Sequence, residues 1–246
     1  MIEYYIQHYD GEAPVRVEVD LSLAEEAPQF ERPLLLWVFV KMPEVGADGL
    51  CKAESCGVCK ALRDALDTRL SEMLRARFSG SRMSEGWYEL YFYARSAKRL
   101  VAEAGAAVAA FEGYSFDAGS SRDEEWEHYF ESLYPDGPMQ HQIQSRHIIT
   151  ELAEAGDDIT VEREVEHILL FQLPTQADRA VAKLTAAGYR LEETFEEEGE
   201  YPCGRVMAKT QDVTESTMQH CAEELLECVI EEHGRYEGWS TTISEA

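Results

Sequence analysis

Pro135-Asp136-Gly137-Pro138 most limits what this chain can fold into. Two prolines within four residues, neither able to donate an N–H, interrupt any helix interior or central strand, and Asp-Gly favours a turn. The chain therefore reads as two domains, residues 1–138 and 139–246, and its 246 residues are enough for two cores. No apolar run approaches the length of a membrane helix, the longest being Leu34 to Val40.

In the first piece, Ile2 to Gln7 and Val15 to Val19 alternate like strands and are joined across Asp10-Gly11. Leu34 to Lys41, a continuous apolar run after Pro33, predicts a central strand buried on both faces. Leu62, Leu66, Leu70, Met73 and Leu74 place a helix over about 55–77. Arg77 to Met83 and Trp87 to Ala94 then read as strands about a Ser84-Glu85-Gly86 turn. Ser96 to Ala110 reads as a helix capped by Ser96, and Glu112 to Asp117 as a last strand. Trp126, Tyr129, Phe130 and Leu133 fall at the i, i+3, i+4, i+7 spacing of a short helix ended by Pro135.

The second piece repeats this order. A helix over about 140–155 is followed by a strand from Arg163. A helix opened by Pro174, with Thr175 as its cap, ends at Gly188. Strands around Leu191 and Val206 come next, then a helix from Thr214 capped by Gly234, and a closing strand from Tyr236 to Ile243. Strand, helix, strand, strand, helix, strand occurs twice, without residue-level repetition. The expected class is α+β: two ferredoxin-like (βαββαβ) domains, the first with an extra N-terminal β-hairpin.

Ser145-Arg146-His147-Ile148-Ile149-Thr150-Glu151-Leu152, Gly156-Asp157-Asp158, Glu164-Val165-Glu166-His167, Ala187-Gly188-Tyr189 and Arg235-Tyr236-Glu237-Gly238-Trp239 resemble, in this order, the regulator of ribonuclease E activity B family over about residues 140–246. That resemblance implies a small acidic cytosolic protein with a ferredoxin-like fold, which binds an RNA-degrading enzyme and inhibits it. Leu34 to Val38, Asp48-Gly49-Leu50, Glu89 to Ala94 and Glu125 to Phe130 resemble a bacterial domain family of unknown function, over about 1–135. The two families occur fused, and the resemblance supplies no activity for the fusion.

Charge bears on partners. The formal net charge is −26, and residues 139–246 alone carry 8 basic and 23 acidic side chains. Such a field repels phosphates and attracts basic surfaces, so a basic protein partner is expected and direct nucleic-acid binding is not. Glu192, Glu193, Glu196, Glu197, Glu198 and Glu200 crowd one hairpin, either as a solvated turn or as a docking patch for arginines. Tyr236 and Trp239 have opposite parity on their strand, which sends one ring to the core and the other to the opposite sheet face as a further partner contact. The N-terminus lacks a basic-then-apolar leader pattern, which points to the cytoplasm.

Cys51, Cys56 and Cys59 stand as C-x4-C-x2-C at a helix start. Three readings stay open for them: incidental thiols, a Cys56–Cys59 redox pair, or three zinc ligands. The seven histidines are scattered as surface or helix residues, without metal-site spacing, and no nucleophile elbow or phosphate loop is present. Neither a cofactor nor catalysis is expected. The leading expectation is a non-enzymatic binding protein that inhibits an RNA-decay enzyme. The alternatives are a redox or zinc protein using the three cysteines, and a homodimeric assembly module.

Overall fold

The computed structural model describes residues 1–8, 11–52 and 55–243; Asp10 of the first turn lies outside them. The chain divides into two compact units, Met1–Pro135 and Asp136–Ala246. Pro135-Asp136-Gly137-Pro138 is a helix start, not a free linker. The Asp136 side chain accepts from the Met139 N–H at 3.2 Å, and Gly137-Pro138 form the first turn of the helix that follows.

Unit 1 is a six-stranded antiparallel sheet with helices on one face. Its strands are β1 (Ile2–Gln7), β2 (Val15–Asp20), β3 (Leu34–Lys41), β4 (Arg77–Ser84), β5 (Trp87–Ala94) and β6 (Ser115–Arg122), in the order β1-β2-β4-β5-β3-β6. The N-terminal hairpin thus extends the sheet beyond β4. Helices α1 (Cys56–Leu74) and α2 (Leu100–Val108) pack Leu62, Leu66, Leu70 and Ala104 onto Leu36, Val38, Val40, Leu90 and Phe92. Glu103, buried on α2, is held by Arg69 of α1 at 2.7 Å and by Arg99.

Several expectations shift. β3 is fully buried at Leu36, Val38 and Val40 on its helix face; on the other face Leu35 is buried while Trp37 and Phe39 are half-buried. Helix α2 starts at Leu100, since the Ser96 hydroxyl accepts from the Lys98 N–H at 3.2 Å in a separate turn. β6 runs five residues past Asp117 in full register with β3. Glu85 and Gly86, with φ of 49° and 77°, make the two-residue β4–β5 turn.

The short helix expected before Pro135 is present over residues 127–133, as part of an irregular cap. Trp126 precedes the helical residues with φ 57°, and Tyr129–Leu133 forms a π-helical turn. Trp126 is buried against Tyr93, Tyr129 donates its hydroxyl to Asp20 O at 3.0 Å, and Tyr5 donates to Leu133 O at 3.0 Å. This cap provides unit 1 with a second core on the face away from α1 and α2.

Unit 2 contains α3 (Gly137–Glu154), β7 (Arg163–Phe171), α4 (Pro174–Ala186), β8 (Arg190–Glu196), β9 (Cys203–Gln211), α5 (Glu215–Glu231) and β10 (Arg235–Thr241). Its antiparallel sheet has the order β10-β7-β9-β8. Leu169, Phe171 and Met207 meet Ala177, Ala180, Leu184, Leu225 and Val229 from α4 and α5. Ile149 and Leu152 of α3 close a second cluster with Val165, Met218 and Trp239.

The α4 cap is Leu173, whose N–H donates to Gln176 Oε1 at 2.9 Å, and not Thr175. Cys203 opens β9 and is buried. At the end of α5 the left-handed residue is His233, at φ 53°, not Gly234. Gly234 serves close packing: a Cβ there would stand 2.6 Å from the Phe171 ring and 2.8 Å from Leu170 O. Gly234→Ala is expected to cost roughly 1–3 kcal/mol by overpacking, read as a lower denaturant midpoint at unchanged slope. An unchanged midpoint would mean that the β10 backbone moves aside freely.

Candidate functional site

The six glutamates of the unit 2 hairpin are all exposed. Glu192 pairs with Arg190, and the Gln172 amide donates to Glu200 at 3.2 Å. Among the described residues Glu193, Glu196, Glu197 and Glu198 make no ion pair, so their charges face solvent together. Phe195 comes from the same hairpin but is half-buried, with its ring over Gly204, where any Cβ would stand 2.3 Å away.

Strand register aligns Phe195, Gly204, Leu170 and Arg235 in one row across β8, β9, β7 and β10. The face they share is the one turned away from α4 and α5. Ile168, Leu170 and Phe195 line a shallow groove there, bordered by Glu197, Glu198, Glu200 and Glu237. Arg235 is the one cation among those lining residues, and it is paired to Glu237 at 2.5 Å. The result is an apolar floor with a negative rim. The glutamates display the rim in the sequence, whereas the floor residues Ile168 and Leu170 sit there inside the apolar strand run Ile168 to Phe171. The signal was the alternation of β7, whose even residues leave the helix face.

Tyr236 and Trp239 do not belong to this site. The expected opposite parity is overturned by a β-bulge between Tyr236 and Gly238. Tyr236 opposes Leu169, and Trp239 opposes His167, so both rings lie on the helix-covered face, 4% and 7% exposed. Trp239 Nε1 donates to Ser145 Oγ at 2.9 Å, which joins β10 to α3. A partner cannot reach either ring without opening the core. Gly238, at φ 130°, allows the bulge.

His167, too, differs from the scattered surface or helix histidines expected. It lies in β7 with no solvent exposure, and its Nδ1 is 2.9 Å from the Tyr236 hydroxyl. Burial lowers its pKa to about 3. Arg163 is likewise buried and binds Asp157 at 2.6 Å, so the Gly156-Asp157-Asp158 motif serves structure.

In unit 1 the cysteines converge differently from the spacing-based expectation. Cys51 Sγ and Cys56 Sγ are 3.0 Å apart, while Cys59 is buried in the helix-face core. All three are free thiols. Burial and the Cys56 thiol push Cys51 up to about 12, and burial also raises Cys59. All three line a cavity of about 470 Å³ with Arg16, Glu18, Lys60 and Arg63. Glu18, unremarked in the sequence, organises that wall by accepting from Arg63 at 3.1 Å, Ser81 at 3.3 Å and Tyr88 at 3.4 Å. Among the described residues no group of three or more His, Cys, Asp or Glu is arranged to hold a metal ion, and no helix is long and apolar enough to cross a membrane.

Residues 3–134 match the model of a Family of unknown function (DUF695), which is more than half of the chain. The chain belongs to this family. Residues 142–241 of this DUF695 member match a second model, described as Regulator of ribonuclease activity B. The fusion expected from the sequence motifs is therefore present. No curated protein matches the chain. Among solved structures, an unknown protein from Galdieria sulphuraria is similar at 11% identity and a TM-score of 0.23, covering 87% of this chain and 100% of its own. A candidate glycine cleavage system transcriptional repressor is similar at 6% identity and a TM-score of 0.23, covering 85% and 98%. Likenesses this weak carry no argument about fold or function.

Proposed function

We propose that this DUF695 member is a non-enzymatic cytoplasmic regulator whose second unit docks a basic surface of an RNA-degrading enzyme of the ribonuclease E type and inhibits it. The match of residues 142–241 to a regulator of ribonuclease activity supports the class of partner. The groove of unit 2, apolar in its floor and carboxylate in its rim, is the observation that carries the mode of binding. It suits a segment that presents arginines beside one or two apolar side chains, because guanidinium pairs carboxylates through two parallel hydrogen bonds. Both units are read as ferredoxin-like, on the strand orders β6-β3-β5-β4 and β10-β7-β9-β8, with the helices on one face.

The test is association of the full chain with a purified ribonuclease E-type enzyme across a salt series. E196K/E197K/E198K alters only exposed side chains and is expected to slow association by roughly tenfold or more at low salt and to flatten the salt dependence. An unchanged rate in this variant would remove the hairpin from the interface. Failure of the unaltered chain to bind or inhibit would overturn the functional reading, and a sedimentation mass twice 27.9 kDa would favour pairing of two copies instead.

A further inference from the structure

We propose that Cys51 and Cys56 form a reversible dithiol switch, closed by a low-molecular-weight disulfide of the glutathione class, that ties the loop before α1 to the first turn of that helix.

The geometry is already close to a bond. The two sulfurs are 3.0 Å apart, about 1 Å beyond the roughly 2.05 Å of a disulfide. Neither is placed by chance. The Cys51 N–H donates to Met83 Sδ at 3.2 Å, while Gly86 N–H donates to Gly49 O at 2.9 Å, so the β4–β5 hairpin grips the loop that carries Cys51. Cys56 is the first residue of α1 and donates to Lys52 O at 3.5 Å. The sequence suggests Cys56 with Cys59 as the redox pair; Cys59 reaches the same cavity, but it is buried, and the sulfur in contact with Cys56 is that of Cys51.

Access and charge favour the same pair. Cys51 and Cys56 are partly exposed and open on a cavity of about 470 Å³, a size that admits a small peptide disulfide. Lys60, one helical turn after Cys56, lines this cavity and makes no ion pair among the described residues, so it can attract an oxidant that carries carboxylates. Cys56, the first residue of α1 and on the cavity wall, is the attacking sulfur, and Cys51, 3.0 Å away, is the resolving one.

The exchange balances. The Cys56 thiolate attacks one sulfur of the oxidant RSSR, forming a mixed disulfide and releasing RS⁻, which takes up the proton lost from Cys56. Cys51 then attacks the Cys56 sulfur and expels the second RS⁻, which takes up the proton from Cys51. Two electrons pass from the protein dithiol to the oxidant, and two RSH leave.

The switch is independent of the ribonuclease reading. The test uses the reduced full chain, incubated under native conditions with excess glutathione disulfide, then alkylated and peptide-mapped. Two of the six thiols are expected to disappear into one crosslink joining Cys51 to Cys56, and dithiothreitol should restore them. Cys51→Ser should trap a mixed disulfide on Cys56, Cys56→Ser should abolish the loss, and Cys59→Ser should leave the crosslink intact. The proposal fails if all six thiols stay alkylatable, if the crosslink uses Cys59, or if stoichiometric zinc shields the thiols until it is chelated.

Discussion

Trp126→Ala is expected to destabilise unit 1 by about 3–5 kcal/mol, a large share of the roughly 5–15 kcal/mol that holds a typical domain together. The ring is fully buried and stacks on Tyr93 with centroids 3.8 Å apart and planes 7° from parallel. Its Nε1 donates to Arg32 O at 3.1 Å, which alanine leaves without that donor. The loss spreads through shared partners. Tyr93 donates to Asp123 at 2.5 Å and accepts from the Tyr129 N–H at 3.3 Å, so an unsupported Tyr93 loosens the whole cap. Trp126→Phe retains much of the apolar contact and is expected to cost about half as much. Hydrogen exchange in the full chain localises the effect, with β5 amides losing protection and β9 amides keeping theirs. A loss below about 1 kcal/mol would show that the cap contributes little to unit 1.

The second large effect is a loss of stability of unit 2 on mild acidification. Desolvation lowers the pKa of His167 from 6.5 to about 3, reinforced by Lys209. The groups facing the imidazole are the Tyr236 hydroxyl at 2.9 Å and the edge of Tyr189, with no carboxylate among these ring contacts. Nε2 has no partner, which favours the tautomer whose Nδ1–H donates to Tyr236, because an orphaned acceptor costs less than an orphaned donor. A proton added on Nε2 would be a buried charge. Since the folded pKa lies below the unfolded value, the stabilisation is complete above pH 6.5 and is lost as pH falls toward 3. Each pH unit in that window removes about 1.4 kcal/mol, or roughly 4 kcal/mol by pH 3.5. Between pH 5 and 6.5 most carboxylates remain ionised, so the difference in slope between the unaltered chain and His167→Gln isolates this residue. The variant is expected to lose close to one proton of pH dependence there, and identical slopes would rule the linkage out.

Local sequence pattern carried the elements well. Helix periodicity set α1 and α5 to within a few residues, alternation set β5, and the Thr214 cap is real, its hydroxyl accepting from the Thr217 N–H at 3.4 Å. These depend on neighbours along the chain, which a sequence displays directly. Ser96 and Thr175 misled for a related reason: hydroxyl residues also serve turns, and the choice between turn and cap is made by what packs around them.

What the sequence determined by itself is the order of strands and helices in each half, the acidity of the β8–β9 hairpin and the fusion of two families. Tertiary structure decided where side chains meet. One inserted residue in β10 put Tyr236 and Trp239 on the same face, because a bulge inverts the alternation beyond it. Cross-strand register put Phe195 beside Gly204 and Leu170 and so made a groove from residues far apart in the chain. A loop held by the β4–β5 turn brought Cys51 to within 3.0 Å of Cys56. Each outcome depends on pairing between distant segments, and the helical or alternating period of a single segment carries no record of it.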